Sequence, residues 1–379
     1  GHNVKVALVC KKYSLQEGGL ERYTYFLSRE LVRAGHEVHI FANIWQEEPG
    51  VIIHRVPVIR LSSPAKNLSF AFFTNRALSK MKFDIIHSME RIFYQDIFRV
   101  SDGINPVQMQ QKYPHPVVRF IKKIGPRRIA LSYLEHRIFV DKGCKIVMTN
   151  SELVKRNIIE HYRVDPENIV VIYNGVNTSR FNPKVKEKFR SSLREKYGIK
   201  KEELVLIFVS NDFKLKRLQL VLEALLLLKN NKIRLLVIGA DNHRTYRRWS
   251  DNHGMGKQIL FLGPKSNIEK YYAGSDIFVL PTLYDAFANV CLEAMACGLP
   301  VITTDSNGAA DLISDNENGY ILKTQKADEL AAGIKALEPL SNRTRMGDNA
   351  AAKAACFTME KHVTKVLKLY ERVSSKGQE

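Results

Sequence analysis

Long hydrophobic runs are missing from the sequence. The longest apolar stretches, such as 224–228 and 277–281, are far shorter than the roughly 20 residues that span a bilayer as a helix. The opening residues do not contain a charged segment followed by an apolar one, which is the pattern of a secretory signal. The sequence therefore predicts neither a membrane-spanning helix nor an export signal.

Cysteine is also scarce. The 379 residues include five widely spread cysteines, Cys10, Cys144, Cys291, Cys297 and Cys356. Their odd number and the spacing of Cys291 and Cys297 fit neither a CxxC redox pair nor a zinc ribbon. Buried thiols in a reducing compartment explain this pattern better than a disulfide framework does. We therefore expect a cytoplasmic protein.

Acidic residues are too few to balance the basic ones. The formal net charge is +19, which favours an anionic partner such as nucleic acid, an acidic membrane leaflet or a phosphorylated ligand. The charge is concentrated in the segment 112–145, where only Glu135 and Asp141 are acidic. The basic residues there are Lys112, Arg119, Lys122, Lys123, Arg127, Arg128, Arg137, Lys142 and Lys145.

Aromatic and aliphatic residues, including Phe120, Ile121 and Tyr133, alternate with these charges. One interpretation is a segment that seats the protein on an anionic membrane surface. The alternative, a solvated basic face on ordinary core helices, stays open. A nucleic-acid-binding protein would show a recognised motif or stacked aromatics on a basic face. The strongest motif of this sequence, described below, is of another kind, so we expect no nucleic acid partner.

Short apolar runs alternate with helical patterns along the chain, which predicts an α/β protein with parallel sheets. Residues 4–9 form the first predicted strand, and a helix follows from about Arg22 to Ala34, closed by Gly35. A second cycle begins with a strand over 204–209 and a helix over 218–228. We predict two Rossmann-like domains over 1–172 and 173–357, with a last helix at about 358–376 returning to the first domain.

The most informative stretch runs from 281 to 304. Asp285 precedes a predicted helix that starts near Asn289 and ends at Gly298. Free backbone N–H groups at such a helix start can hold an anion, and Glu293 can accept two hydroxyl hydrogen bonds, as a ribose requires. An acidic N-cap followed by a solvated glutamate is the plainer alternative.

This stretch resembles the signature of the retaining glycosyltransferase family four. In that signature an acid and seven further residues precede the run Glu-Ala-Met-Ala-Cys-Gly-Leu-Pro-Val. The resemblance implies the GT-B fold, in which the parallel sheets of two Rossmann-like domains face a central cleft. It also implies that Asp285, in place of the family's usual Glu, contacts the transferred sugar and that Glu293 contacts the ribose. Phe287, Ala288 and Asn289 are implied at the donor as well.

Two further loops match the family. Gly18 and Gly19, followed by Glu21 and Arg22, resemble the first glycine loop, which passes close to the donor phosphate and the acceptor. Glycines let backbone amides approach a ligand closely. Glu21 and Arg22 are therefore candidates for the acceptor side.

The segment 209–218 resembles the one whose basic residues neutralise the donor diphosphate, with Lys216 at the family lysine. The family's glycine is replaced by Arg217, and either Lys214 or Arg217 would take over from the family's upstream arginine. A solvated basic cluster is the alternative. Gly239, Gly263 and Lys265 fall where family loops meet the nucleotide base.

The segment 84–103 looks like the subgroup that adds a hexose to the heptose region of lipopolysaccharide core. In that subgroup an aspartate at the position of Asp102 lines the catalytic cleft, and His87 is the second candidate for this side. A structural histidine at a strand end and a turn aspartate before Gly103 remain the alternatives.

The resemblance predicts an enzyme that moves a hexose, with glucose from UDP-glucose favoured, onto a lipopolysaccharide core or similar anionic glycolipid at the inner face of the membrane. GDP-mannose or UDP-N-acetylglucosamine as donor, an epimerase or phosphorylase on the same fold, and a donor-binding module without catalysis are the alternatives. The sequence has no Asp-x-Asp motif and no cluster with metal-ligand spacing. We therefore expect no metal and no cofactor, with Lys216, Asp285 and Asp102 as the catalytic residues.

Overall fold

The structure is a computed structural model that describes residues 3–15 and 19–375. The chain divides into two compact units. The N-terminal unit consists of the chain up to Tyr173 together with the chain from His362 onward, and the C-terminal unit is Asn174–Lys361.

The N-terminal unit is built on a parallel sheet. Its strands are β1 (Lys5–Val9), β2 (Lys12–Tyr13), β3 (Glu37–Ala42), β4 (Ile44–Trp45), β5 (Val51–Arg55), β6 (Ile85–Ser88), β7 (Gln95–Val100), β8 (Cys144–Thr149) and β9 (Ile169–Val171). The main sheet has the order β5-β3-β1-β6-β7-β8-β9 with every neighbouring pair parallel, and β2 pairs with β4. Parallel neighbours need crossover connections, and helices supply those from β1 to β3, from β7 to β8 and from β8 to β9. The helices of this unit are α1 (Gly19–Arg33), α2 (Ser63–Leu78), α3 (Asn105–Lys112), α4 (Pro116–Lys123), α5 (Pro126–Phe139) and α6 (Glu152–Tyr162).

The C-terminal unit repeats this plan. Its strands are β10 (Leu204–Val209), β11 (Ile233–Ile238), β12 (Ile259–Gly263), β13 (Ile277–Leu280), β14 (Val301–Thr304) and β15 (Gly319–Leu322), in the order β12-β11-β10-β13-β14-β15 and all parallel. Its helices are α7 (Lys184–Lys196), α8 (Leu218–Leu228), α9 (Arg244–Asn252), α10 (Ile268–Gly274), α11 (Asn289–Ala296), α12 (Ala327–Ala336) and α13 (Leu340–Ala354). Both units are therefore Rossmann-like, as the sequence predicts.

The last helix, α14 (Met359–Ser375), joins the N-terminal unit from His362 onward. Val363, Val366 and Tyr370 are buried in the same core as residues of β1, β3 and α1. Polar contacts add to this packing, because the His362 Nδ1–H donates to the Tyr173 carbonyl oxygen and Nε2 accepts from the Tyr23 hydroxyl.

Helix α1 starts three residues earlier than the sequence suggests, at Gly19 instead of Arg22. A glycine is tolerated in the first turn, where its N–H has no helical partner in any case. In the part of the chain that the structure describes, no helix is both long and apolar enough to cross a membrane.

Candidate active site

The residues selected from the sequence fall in both units, and each group is described within its own unit. In the C-terminal unit they lie on loops that follow β10, β11, β12 and β13, which is where open parallel sheets bind ligands. In the N-terminal unit His87 and Asp102 lie at the ends of β6 and β7, and the residues from Gly19 to Arg22 lie in α1.

Lys216 and Asp285 form an ion pair in the C-terminal unit. The Lys216 Nζ atom lies 2.5 Å from Asp285 Oδ2 and 3.2 Å from the carbonyl oxygen of Tyr284. The two side chains are only 14% and 23% exposed, which shields the pair from solvent screening. The sequence predicts both residues at the donor, and the structure brings them together.

The loop before α11 is fixed by buried hydrogen bonds. The backbone N–H of Phe287 donates to Asp285 Oδ1 (3.1 Å), and the N–H of Ala288 donates to Asn307 Oδ1 (3.2 Å). Asn307 is 1% exposed and also donates to Thr303. Asn307 thus holds the residues just before α11 in place.

At the first residue of α11, the exposed Asn289 accepts a hydrogen bond from the amide of Asn174 (2.8 Å). One turn further, Glu293 Oε2 accepts a hydrogen bond from Tyr272 Oη (3.1 Å). Burial, followed by the neighbouring Glu293 charge, raises the pKa of Tyr272 well above its ordinary value, so the phenol stays a donor. Tyr272 was not selected from the sequence, because an aromatic residue inside a predicted helix carries no local signal of such a contact.

The Arg217 side chain contacts Gln325. Its guanidinium donates to the carbonyl oxygen (2.9 Å) and the side-chain oxygen (3.3 Å) of Gln325. Its backbone is left-handed, with φ 59°, and that of Gln325 is as well, with φ 55°. The family glycine suits this conformation, which other residues adopt at a cost of about 1–2 kcal/mol. Lys214 is exposed on the same loop.

Gly239 and Gly263 meet at the ends of β11 and β12, where the N–H of Gly239 donates to the Gly263 carbonyl (3.1 Å). Gly239 has φ 146°, and a Cβ atom there would lie 1.6 Å from the carbonyl oxygen of Ser210. Both the angle and the space therefore demand glycine. Lys265 follows on the next loop, with its ammonium 5.9 Å from the centre of the Tyr271 ring.

Asp102 lies in the N-terminal unit on the loop that follows β7. Its side chain is 62% exposed, and its Oδ1 atom is 3.6 Å from the guanidinium of Arg91. The next residue, Gly103, has φ 83°, which turns the chain into α3. The carboxylate is thus accessible while its loop is tied to the interior.

His87 is fully buried at the end of β6. Its Nδ1 atom is 2.7 Å from Tyr370 Oη. Burial, with the nearby charges of Arg99 and His362, lowers the pKa of His87 to about 3 and keeps the ring neutral. The structure therefore places His87 in the core against α14, as expected if this histidine has a structural role.

The first glycine loop is only partly described. Gly18 lies outside the described residues, as does the side chain of Glu21, and Gly19 is the first residue of α1. Arg22 is exposed, with its Nε atom 3.4 Å from the carbonyl oxygen of Leu15.

The basic segment 112–145 forms the end of α3 and all of α4 and α5. Helix α4 has no buried residue. Its apolar side chains and that of Ile124, which follows it, are among the most exposed of the described chain: Val117 60%, Phe120 68%, Ile121 57% and Ile124 60%. A solvated face on core helices would hide such residues. Helix α4 thus presents exposed apolar side chains, whereas α5 buries Leu134 and Ile138 as an ordinary core helix.

Within residues 3–15 and 19–375, no group of three or more His, Cys, Asp or Glu side chains is arranged to hold a metal ion. The positive charge beside Asp285 comes from Lys216.

Solved structures that share this fold include glycosyltransferases. The structure superposes on the crystal structure of WaaG, a glycosyltransferase involved in lipopolysaccharide biosynthesis, with a TM-score of 0.80 at 22% identity, covering 96% of this chain and 99% of that one. It also superposes on Anabaena HepE in complex with UDP and glucose, with a TM-score of 0.72 at 17% identity, covering 97% and 100%. The architecture is therefore GT-B, as the sequence signature predicts.

The chain belongs to glycosyltransferase family four. The family model described as Glycosyltransferase Family 4 matches residues 17–180, and the model described as Glycosyl transferases group 1 matches residues 189–353. Together they span both units and confirm that the protein is a glycosyltransferase.

Curated relatives of similar length have different acceptors in their names. The D-inositol 3-phosphate glycosyltransferase of Corynebacterium kroppenstedtii is 25% identical over 392 residues, covering 95% of this chain and 86% of the relative. The lipopolysaccharide glucosyltransferase WaaG of Escherichia coli K12 is 23% identical over 342 residues, covering 88% and 90%.

Proposed function

We propose that this glycosyltransferase moves glucose from UDP-glucose onto an anionic glycolipid of the lipopolysaccharide-core type, with retention of anomeric configuration and without a metal. The observation that carries the proposal is the Lys216–Asp285 pair next to the start of α11, with Glu293 one turn further. A cation beside the start of a helix, and a carboxylate one turn into that helix, match the diphosphate, sugar and ribose of a nucleotide sugar.

Lys216 supplies the charge that the departing diphosphate needs. As the bond between the anomeric carbon and the phosphate oxygen breaks, negative charge grows on that oxygen, and a preorganised cation stabilises it. The sequence offers no Asp-x-Asp motif for a metal to do the same. Turnover should therefore persist in EDTA.

The acceptor attacks on the face that the phosphate leaves. The acceptor oxygen bonds to the anomeric carbon while its proton passes to the departing phosphate oxygen, so the configuration is retained without a covalent enzyme intermediate. Asp285 is committed to Lys216 and the Phe287 N–H, which leaves it poorly placed as the nucleophile that double displacement requires. In this proposal Asp102 orients the acceptor hydroxyl.

UDP-glucose is preferred because relatives point to it. WaaG is named a glucosyltransferase, and HepE was solved with UDP and glucose. The acceptor preference follows the resemblance of 84–103 to the lipopolysaccharide subgroup. The relatives named for D-inositol 3-phosphate make that small phosphorylated acceptor the second candidate.

The enzyme would work at the inner membrane face, seated by α4. Phe120, Ile121 and Ile124 are exposed beside Arg119, Lys122 and Lys123. Near an anionic leaflet each such cation contributes about 1 kcal/mol, and the apolar side chains can enter the headgroup region.

A transfer assay in EDTA tests the proposal. Purified protein is given UDP-, GDP- and ADP-sugars with either truncated lipopolysaccharide or inositol 3-phosphate, and the anomeric configuration of the product is read by NMR. We expect UDP-glucose and lipopolysaccharide to give an α-linked product, and loss of turnover in Glu293→Ala. An inverted product, a metal requirement or inositol phosphate as the sole acceptor would each refute the corresponding part.

Vesicle flotation tests the membrane part. The protein should float with vesicles that contain about a third anionic lipid and not with zwitterionic ones, and Phe120→Ser with Ile121→Ser should abolish flotation. Ile52→Ser is the matched control, because Ile52 is an exposed apolar residue of strand β5 (47% exposed). Flotation that survives the α4 substitutions would contradict the assignment.

A further inference from the structure

Helix α5 carries a carboxylate inside the N-terminal unit. The Glu135 side chain is 0% exposed. It accepts three hydrogen bonds, from Arg91 Nε (3.0 Å), the backbone N–H of Asn105 (2.8 Å) and Tyr162 Oη (2.5 Å), and its Oε1 atom also lies 3.0 Å from Arg91 Nη2 in an ion pair. A buried charge is tolerated only when it is paired and hydrogen-bonded in this way. The three partner residues, Arg91, Asn105 and Tyr162, come from three different stretches of chain.

Arg91 connects this carboxylate to the loop that carries Asp102. Its Nη2 atom, which is bonded to Glu135, also donates to the carbonyl oxygen of Gly103 (3.0 Å) and lies 3.6 Å from Asp102 Oδ1. Burial lowers the pKa of Arg91, but the carboxylates of Asp102 and Glu135 outweigh it and raise the pKa above its ordinary value. The guanidinium is a fixed cation that spans the two carboxylates.

The far end of the same loop is held from α5 as well. Asn105 begins α3, and its side-chain oxygen accepts from Arg128 (2.7 Å) while its amide donates to Ser132 (2.9 Å). Loop residues 102–105 are thus fastened at both ends to buried or half-buried groups. Only the Asp102 side chain extends outward.

We propose that Arg91 and Glu135 are positioning residues, which set where the Asp102 carboxylate points and thereby the rate of transfer to the acceptor. The proposal rests on the proposed function, because it takes Asp102 as the carboxylate that orients the acceptor. A buried ion pair often adds little stability compared with apolar residues of the same size. The planar guanidinium of Arg91 holds its N–H donors in a fixed arrangement, and it donates to Glu135 and to the loop at the same time.

A double-mutant cycle separates positioning from general packing. Asp102→Asn, Arg91→Lys and the double variant are assayed for transfer and for donor affinity. Lysine keeps the charge beside Glu135 but lacks this fixed arrangement of donors, so Arg91→Lys should lower kcat about tenfold in the wild-type background and less than about twofold in the Asp102→Asn background. Asp102→Asn alone should lower kcat about 100-fold. Donor KM should stay unchanged throughout, because Lys216, Asp285 and Glu293, the residues of the proposed donor contacts, lie in the C-terminal unit.

Two further variants guard against a loss of folded protein. Glu135→Gln keeps the shape of the carboxylate and should reproduce the Arg91→Lys effect on kcat. Tyr162→Phe removes a hydrogen bond from the other oxygen of Glu135, and it should lower the melting temperature without lowering kcat. Melting curves confirm that each variant is folded at the assay temperature.

The outcomes point in different directions. Equal losses for Arg91→Lys in both backgrounds would overturn the positioning role and leave the proposed function intact. A Tyr162→Phe variant as slow as Arg91→Lys would also overturn it, because loss of packing would then be sufficient. An Asp102→Asn variant with wild-type kcat would refute the assignment of Asp102 itself, and with it this inference.

Discussion

The ammonium of Lys216 lies 2.5 Å from Asp285 Oδ2, which joins the loop after β10 to the loop before α11 across 69 residues of sequence. The same carboxylate accepts the Phe287 N–H through its other oxygen. Asp285 therefore contacts both the lysine side chain and the backbone just before the helix, one through each carboxylate oxygen.

Removing the lysine should abolish transfer with little loss of fold. Lys216→Met leaves the departing diphosphate without its cation, so we expect kcat to fall by about 100-fold or more. Lys232→Met is the control, because Lys232 is an exposed lysine of the same unit, and it should stay near wild type. Comparable rates for the two variants would show that Lys216 is not used in the transition state.

Tyr272→Phe should weaken donor binding more than catalysis. The hydroxyl holds Glu293, so without it we expect donor KM to rise several-fold and the free energy of unfolding to fall by about 1 kcal/mol. Calorimetric titration with UDP measures the first effect and urea unfolding the second. Tyr271 lies on the same helix as Tyr272, and its hydroxyl pairs with Tyr197. Tyr271→Phe should lower the free energy of unfolding by a similar amount and leave donor KM unchanged.

At position 217 the usual order of helix propensity should be reversed. Arg217 precedes α8 with φ 59°, so Arg217→Gly should be more stable than Arg217→Ala by about 1 kcal/mol. At Gln219, inside the helix, alanine should be the more stable by about the same amount. Urea unfolding of the four variants tests both signs, and an alanine preference at 217 would show that the backbone there is not left-handed.

Acid should destabilise the N-terminal unit through its buried histidines. Burial lowers the pKa of His362 to about 4 and that of His87 to about 3, whereas an unfolded histidine titrates near 6.5. Between those values the unfolded chain binds more protons, so stability is lost as pH falls below about 6.5, by up to roughly 1.4 kcal/mol per pH unit for each histidine.

Replacing His362 should flatten this dependence. His362→Gln keeps an amide that can bond the Tyr173 carbonyl but does not titrate, so its urea midpoint should change less between pH 7.5 and pH 5. Tyr23→Phe removes a partner of the ring and keeps the titrating group, so it should retain the wild-type slope. Parallel slopes for wild type and His362→Gln would be incompatible with a buried neutral ring.

The sequence predicted the parts of the fold whose apolar pattern is continuous. The strand over 204–209 and the helix over 218–228 agree with β10 and α8 residue for residue, because nothing competes with burial there. Helix α2 was not predicted, since Phe70 and Ala71 are buried while the adjacent Phe72 is 52% exposed, which blurs the helical period.

The residues of the donor side were predicted from a signature, but their contacts were not. Lys216 and Asp285, like Arg91 and Glu135, meet only after the sheet is formed, and 69 and 44 residues separate the partners. Side-chain direction at Arg217 depends on a backbone angle that no local pattern specifies. Sequence reasoning therefore identified the groups, and tertiary structure decided which of them are bonded.

Gly239 has a consequence for how the gene can vary. Because a single added carbon at this position would lie 1.6 Å from Ser210 O, every missense change of the codon meets the same obstacle, alanine included. In a saturation scan scored by activity, codon 239 should tolerate only synonymous changes. At codon 35 the glycine has φ 86° but open space around it, so this codon should tolerate asparagine. Position 239 therefore reports a limit set by space, and position 35 reports a limit set by the backbone angle alone.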